Sequence, residues 1–287
     1  MDRLITHNKN GFTLIEMIIV ILVVGILSSV LFTVLRGPMQ AFIDVEKRIR
    51  LVDIADTALQ RMTREIRLAL PNSIRVTGGT TVEFLRTLDG GRYRAKPGGG
   101  AAVCPGGFPP AQDRLNFALA SDCFEILGAL NNVPTSFGAT QAECLASTAD
   151  CLVIYNTGQL TADAYNGDNI AVITAATTAN YITFAGAPPF PYRSPRQRFF
   201  IVDTPVSFVC DTGTGQIRRI DDYPVNTGVG AATGNLLVNQ VSACSFSYNP
   251  GSARRAGLVT LSITIQDSSL AGGSVTLLQQ AHVDNQP

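Results

Sequence analysis

The chain has 287 residues, 46% of them hydrophobic and 15% charged, long enough to bury one large core or two modest ones. Its 22 basic side chains balance 22 acidic ones, and no long run of one sign occurs, which excludes nucleic acid as a main partner. Two histidines, His7 and His282, are too few for a histidine-rich metal site or a cluster of histidine bases.

The first informative segment runs from Phe12 to Leu35 and reads FTLIEMIIVILVVGILSSVLFTVL, with Glu16 as its sole charged side chain. As a helix, these roughly 24 residues span about 36 Å, enough to cross a bilayer core of about 30 Å. A soluble core helix this apolar would need protein on every side. A secretory signal peptide fits poorly, because small residues should follow its apolar region, whereas Gly11 precedes this one. Arg3 and Lys9 stand against Asp2 ahead of the run, which places residues 1–11 on the cytoplasmic side and the body of the chain in the periplasm.

Glu16 needs compensation, since a carboxylate in a membrane helix costs about 2.5–3.5 kcal/mol at mid-depth and less near the edge. A cut after Gly11 would create an amine on Phe12, four residues or one helical turn before Glu16 and on the same face. The helix dipole also favours an acid in the first turn. Between neighbouring chains, the same pairing would set their stagger. The competing reading is a snorkelling or protonated acid at the membrane edge.

Gly11-Phe12-Thr13-Leu14-Ile15-Glu16 followed by an apolar run resembles the type IV prepilin signature. The resemblance implies that a prepilin peptidase cuts after Gly11 and N-methylates Phe12, and that Glu16 guides docking into a growing filament. It implies an α+β pilin-like fold, with a long N-terminal transmembrane and amphipathic helix packed on a β-rich C-terminal head. One departure from the pattern is Asn10, which stands between Lys9 and Gly11.

Gly37-Pro38 predicts an interruption or kink, because proline has no amide to donate and restricts the residue before it. Beyond it, Phe42, Val45, Ile49, Val52, Leu59, Met62 and Ile66 recur at three- and four-residue steps, the pattern of an amphipathic helix. Asp44 with Arg48 and Glu46 with Arg50 add acid-first pairs of about 0.2–0.5 kcal/mol each. Pro71 is expected to stop this helix after Leu70, with its apolar stripe packed on the head; a free coiled coil is the alternative. The expected organisation is a leader over 1–11, a membrane helix over 12–35, a periplasmic amphipathic helix over 36–70 and a head over 71–287.

After Pro71, short β-branched and aromatic runs alternate with glycine, proline and asparagine. Ser73–Thr77 and Thr80–Thr87 around Gly78-Gly79 predict a hairpin. Further strands are expected over Leu152–Tyr155, Tyr181–Phe184, Phe199–Cys210, Leu258–Ile265 and Val275–Leu278. Lys96–Pro110 reads as a long loop that lacks the G-K-[ST] element of a phosphate cradle. No internal repeat or linker divides this region.

All six cysteines, Cys104, Cys123, Cys144, Cys151, Cys210 and Cys244, follow the apolar segment, in the part expected to be oxidising. Roughly 15 complete pairings are open. Order along the chain suggests Cys104 with Cys123, Cys144 with Cys151 and Cys210 with Cys244, each bridge contributing about 2–4 kcal/mol. Their spacing is too wide for a zinc site. Asp163, Asn166, Asp168 and Asn169 around Gly167 invite a calcium reading but match no full loop motif, and the same residue types build tight turns. Tyr192-Arg193 and Arg196–Phe199 read as snorkelling arginines at a strand start rather than a contact patch. Neither a catalytic triad nor a cofactor site is expected, and the chain is read as a non-enzyme.

The stretches VDIADTALQRMTREIRLALPNSIRV, FFIVDTPVSFVCD and VTLLQQAHVDNQP resemble minor pilins of the mannose-sensitive haemagglutinin (MSHA) type IV pilus system. That resemblance implies a low-abundance subunit that primes or caps a pilus. Its partners would be the prepilin peptidase, other major and minor pilins, and an inner-membrane assembly platform. A minor pseudopilin of a type II secretion system and a ligand-binding head at a pilus tip are the alternatives. Neighbouring genes discriminate the first, and glycan binding the second.

Overall fold

The structure is a computed structural model and describes residues 11–97, 104–105, 113–119, 122–177, 181–186, 190–230, 233–251, 255–267 and 273–287. It contains two compact units, Met1–Arg50 and Leu51–Pro287. The fold is α+β, with a long apolar N-terminal helix and a β-rich remainder.

Helix α1 covers Leu14–Ile66 and keeps Pro38 inside it, so the expected interruption does not occur. Proline there forfeits one bond, to the carbonyl of Val34, while the residues on either side retain helical geometry. Within the first unit, every described residue except Lys47 is exposed.

In the second unit, α1 buries Leu51, Ala55, Ala58, Leu59, Met62, Thr63 and Ile66. This corrects the expected stripe: Leu59, Met62 and Ile66 are internal, whereas Phe42, Val45, Ile49 and Val52 are exposed. Two alanines replace large side chains on the buried face, which lets strands approach the helix backbone. The helix also ends four residues earlier than Pro71 suggested. Leu70 donates to the Leu85 carbonyl and Thr87 to the Leu68 carbonyl, so strand-like pairing takes the chain over before proline can.

The remaining elements are β1 (Arg75–Thr77), β2 (Thr81–Arg92), β3 (Asp122–Glu125), α2 (Gln141–Leu145), β4 (Cys151–Val153), β5 (Ile170–Ala176), β6 (Tyr181–Ala185) and β7 (Arg198–Asp211). They are followed by β8 (Gln216–Ile220), β9 (Asn235–Val238), β10 (Val241–Asn249), β11 (Gly257–Gln266) and β12 (Ser274–Val283). Strands β3, β5, β8, β9 and β10 were not anticipated. Of Lys96–Pro110, all but 96–97 and 104–105 lie outside the described residues.

Nine strands form an antiparallel sheet in the order β1-β2-β7-β4-β5-β6-β3, with β8 pairing β7 and β9. Strand β7 organises it. Phe200–Val202 pair with β4, Ser207–Asp211 pair with β8, and Pro205 lies between, where neither neighbour needs its missing amide. Gly78 and Gly79, at φ of 61° and 71°, make the β1–β2 turn in a region that side chains disfavour.

Strands β10-β11-β12 form a second sheet. Val259, Leu261, Ile263 and Ile265 alternate inward along β11 and meet the α1 residues Ala55, Leu59 and Met62 in one core. Each large side chain buried there contributes about 1.5–3 kcal/mol. Two further clusters fill the wide sheet, one around Phe124, Phe184 and Phe199 and one around Leu70, Cys151 and Tyr165.

Candidate functional site

The N-terminal end of α1 is built by Thr13. Its carbonyl accepts from the amides of Glu16 at 3.1 Å and Met17 at 3.3 Å, and its Oγ1 also accepts from Glu16 N at 3.4 Å. The pattern Thr13-x-x-Glu16 is the sequence form of a capping box, a signal present in the chain and missed by a reading centred on Glu16. Gly11 and Phe12 precede the first helical residue, Leu14, and both are exposed. None of the helix-starting bonds therefore uses residue 11 or 12, and a cut between them leaves the cap whole.

Gly11 has no heavy atom within 4 Å of the place a Cβ would take. The fold thus leaves space for a side chain there, and any requirement for glycine must come from a protein that handles the segment.

Glu16 lies in the first turn, where the dipole of α1 favours a carboxylate. Among the described residues it forms no ion pair. From Leu14 to Leu35 the large apolar side chains are exposed, and an 18-residue window of α1 reaches a mean hydropathy of 3.0 with none of it buried. Ser29 Oγ donates to the Ile26 carbonyl at 2.8 Å and Thr33 Oγ1 to the Ser29 carbonyl at 2.9 Å. Both hydroxyls are satisfied within the helix, which removes their cost in an apolar surround.

Residues 6–32 match the profile of the prokaryotic N-terminal methylation motif. The motif supports a type IV pilin-like protein. It implies processing by a prepilin peptidase and assembly with other pilins, and the apolar helix fits a membrane-anchored pilin. Proteins that carry this motif are structural rather than enzymatic. No curated protein and no solved structure matches the chain.

Elsewhere the structure gives the singled-out residues local duties. Cys104 is bonded to Cys123, Cys144 to Cys151 and Cys210 to Cys244. Asp163 caps a short 3-10 turn, accepting from Tyr165 N at 3.0 Å and from Arg75 Nη2 at 2.7 Å. Gly167 closes that turn at φ 80°, and Asn169 Nδ2 donates to the Ile154 carbonyl. Among the described residues no three His, Cys, Asp or Glu side chains converge as metal ligands. Tyr192 contacts Thr161, Arg193 lies over the Phe117 ring, and Arg198 pairs with Asp284 at 3.8 Å. His282 is exposed on β12, and His7 lies outside the described residues.

Proposed function

We propose that the chain is a minor pilin, cut after Gly11, N-methylated on Phe12 and held in the inner membrane by residues 12–35 until assembly moves that helix into a filament core. In this reading residues 1–11 are a cytoplasmic leader, 36–70 an amphipathic helix and 71–287 a periplasmic head. One observation carries it: a solitary acid, Glu16, four residues after Phe12 in a segment, residues 12–35, whose large apolar side chains are all exposed. Such a helix is apolar enough for a lipid surround before assembly and for a bundle of like helices after it. The capped start of α1 at Thr13 supports the cleavage position, because the bonds that open the helix are made by Thr13, after the proposed cut.

The stretches at 52–76, 199–211 and 275–287 support a finer assignment, to an MshO-like subunit of an MSHA-type pilus. The decisive test is mass spectrometry of the mature N-terminus. A chain beginning with N-methylated Phe12 is expected, and any other start overturns the reading.

A cleft of about 530 Å³ favours a second reading, a ligand-binding head. The cleft is lined by Arg67 and Arg92, which form no ion pair among the described residues, beside Thr87 and Phe200. Binding of acidic glycans by the purified chain in detergent, lost in an Arg67→Ala/Arg92→Ala double variant, would establish it.

A further inference from the structure

Strand edges carry unpaired amides and carbonyls that recruit other strands, and proteins ordinarily blunt them by shortness, charge, proline or bulges. Among the described residues, the strand edges are blunted in these ways, with one exception. In the wide sheet, β1 has 3 residues, β3 has 4 and β9 has 4. In the narrow sheet, β10 has a register shift between Val241 and Ala243, and its Phe246 amide donates to the Gly79 carbonyl at 2.7 Å.

The exception is β12. It has 10 residues, Ser-Val-Thr-Leu-Leu-Gln-Gln-Ala-His-Val, with no acid, lysine, arginine or proline. It pairs with β11 in unbroken register from Gly257↔Val283 to Gln266↔Ser274, so no bulge turns it away. Among the described residues no strand pairs with its other side. Val275 and Leu277 pack inward, while Leu278, 62% exposed, stands on the outer face. The tail beyond β12 is held elsewhere: Asn285 Oδ1 accepts from Asn72 N, and its Nδ2 donates to Tyr248 Oη. It does not fold back to cover the edge.

We infer that the β12 edge is a strand-addition site that receives an extended, uncharged strand from the head of a different pilin-like subunit. This rests on the reading that the chain assembles with other pilins. Backbone bonds would supply the affinity, and Leu278 with Gln280 the side-chain fit. The partner is a different chain because of symmetry. A repeating contact between copies must be head-to-tail, and so needs a second free edge on the same molecule. Among the described strands β1, β3 and β9 are too short to match β12. Two copies joined β12 to β12 would instead form a closed pair.

The test places a photo-crosslinking residue at Gln280 of the full chain, expressed in the organism that encodes it, and identifies adducts by mass spectrometry. The expected adduct joins β12 to an extended head segment of another protein with a prepilin-type N-terminus. Leu278→Lys should lower its yield about tenfold, while Leu236→Lys on the β9 edge leaves it unchanged. Retained disulfides in Leu278→Lys show that the head still folds. No adduct, an adduct to a second copy, or an adduct indifferent to Leu278→Lys overturns the proposal. The mature N-terminus is read from the same sample. A chain that starts at Phe12 without the adduct sinks the strand-addition site alone, and a different start sinks the assembly reading.

Discussion

Arg219 of β8 donates from Nε to Glu65 Oε2 of α1 at 2.6 Å, and its Nη1 reaches Asp221. Arg219 is buried, at 8% exposure, and its guanidinium forms charge-assisted bonds with two carboxylates, one from the helix and one just beyond β8. Removing it takes from Asp221 the cation it pairs with and leaves Glu65 only the more exposed Arg61, at 3.3 Å. Arg219→Ala is therefore expected to destabilise the head by about 3 kcal/mol. Urea titration of the detergent-solubilised chain checks this, and a loss below about 1 kcal/mol would show that water takes over the role of the arginine.

The Cys210–Cys244 bond joins β7 of the wide sheet to β10 of the narrow one. A Cys210→Ser/Cys244→Ser variant should lose about 2–4 kcal/mol, measured as a lower denaturant midpoint against the oxidised chain.

The two faces of α1 should respond unequally to truncation. Met62 is fully buried against the second sheet, and Met62→Ala is expected to cost about 2–5 kcal/mol. Val52→Ala, at an exposed position, should stay within about 0.5 kcal/mol. Equal losses would contradict the burial pattern.

Asp122 gives a pH signature. Burial pushes its carboxyl above the ordinary value, and one oxygen, Oδ1, has no hydrogen-bond partner among the described residues. The folded state therefore holds a proton more tightly than the unfolded chain does. Between the unfolded value near 3.9 and the raised folded one, the folded state binds more protons, so stability falls as pH rises. Asp122→Asn should flatten that part of the stability profile, read as melting temperature against pH. A profile unchanged by the substitution would mean that Asp122 is hydrated when folded.

At the N-terminus, Glu16→Ala should leave membrane insertion and cleavage intact while lowering incorporation into filaments. Replacing Gly11 with leucine should block processing without disturbing the fold, which has room for a side chain there. Sheared filaments and N-terminal mass spectrometry report the two effects separately.

The N-terminal end was legible because its information is local. An apolar run, one acid and a glycine specify a helix, its environment and a cleavage position within about two dozen residues. The strands at Phe199–Cys210 and Leu258–Ile265 were legible for a similar reason, since alternation or a continuous β-branched run marks them without reference to partners. Strand β3, with Asp122 and Cys123, carries no such mark, β9 is four residues long, and β10 is mostly polar on its exposed side. They are strands because β6, β8 and β11 supply ladders for them.

Composition and order alone determined that this protein has a membrane-length apolar helix with a prepilin-type start, followed by a β-rich body. Tertiary structure alone decided which face of α1 is buried, where α1 stops, and that β12 ends as an uncharged open edge. The reason is physical. Helix propensity and hydropathy act within a few turns, whereas the choice between Phe42 and Ala55 as a core residue depends on how closely a strand distant in sequence can approach the helix.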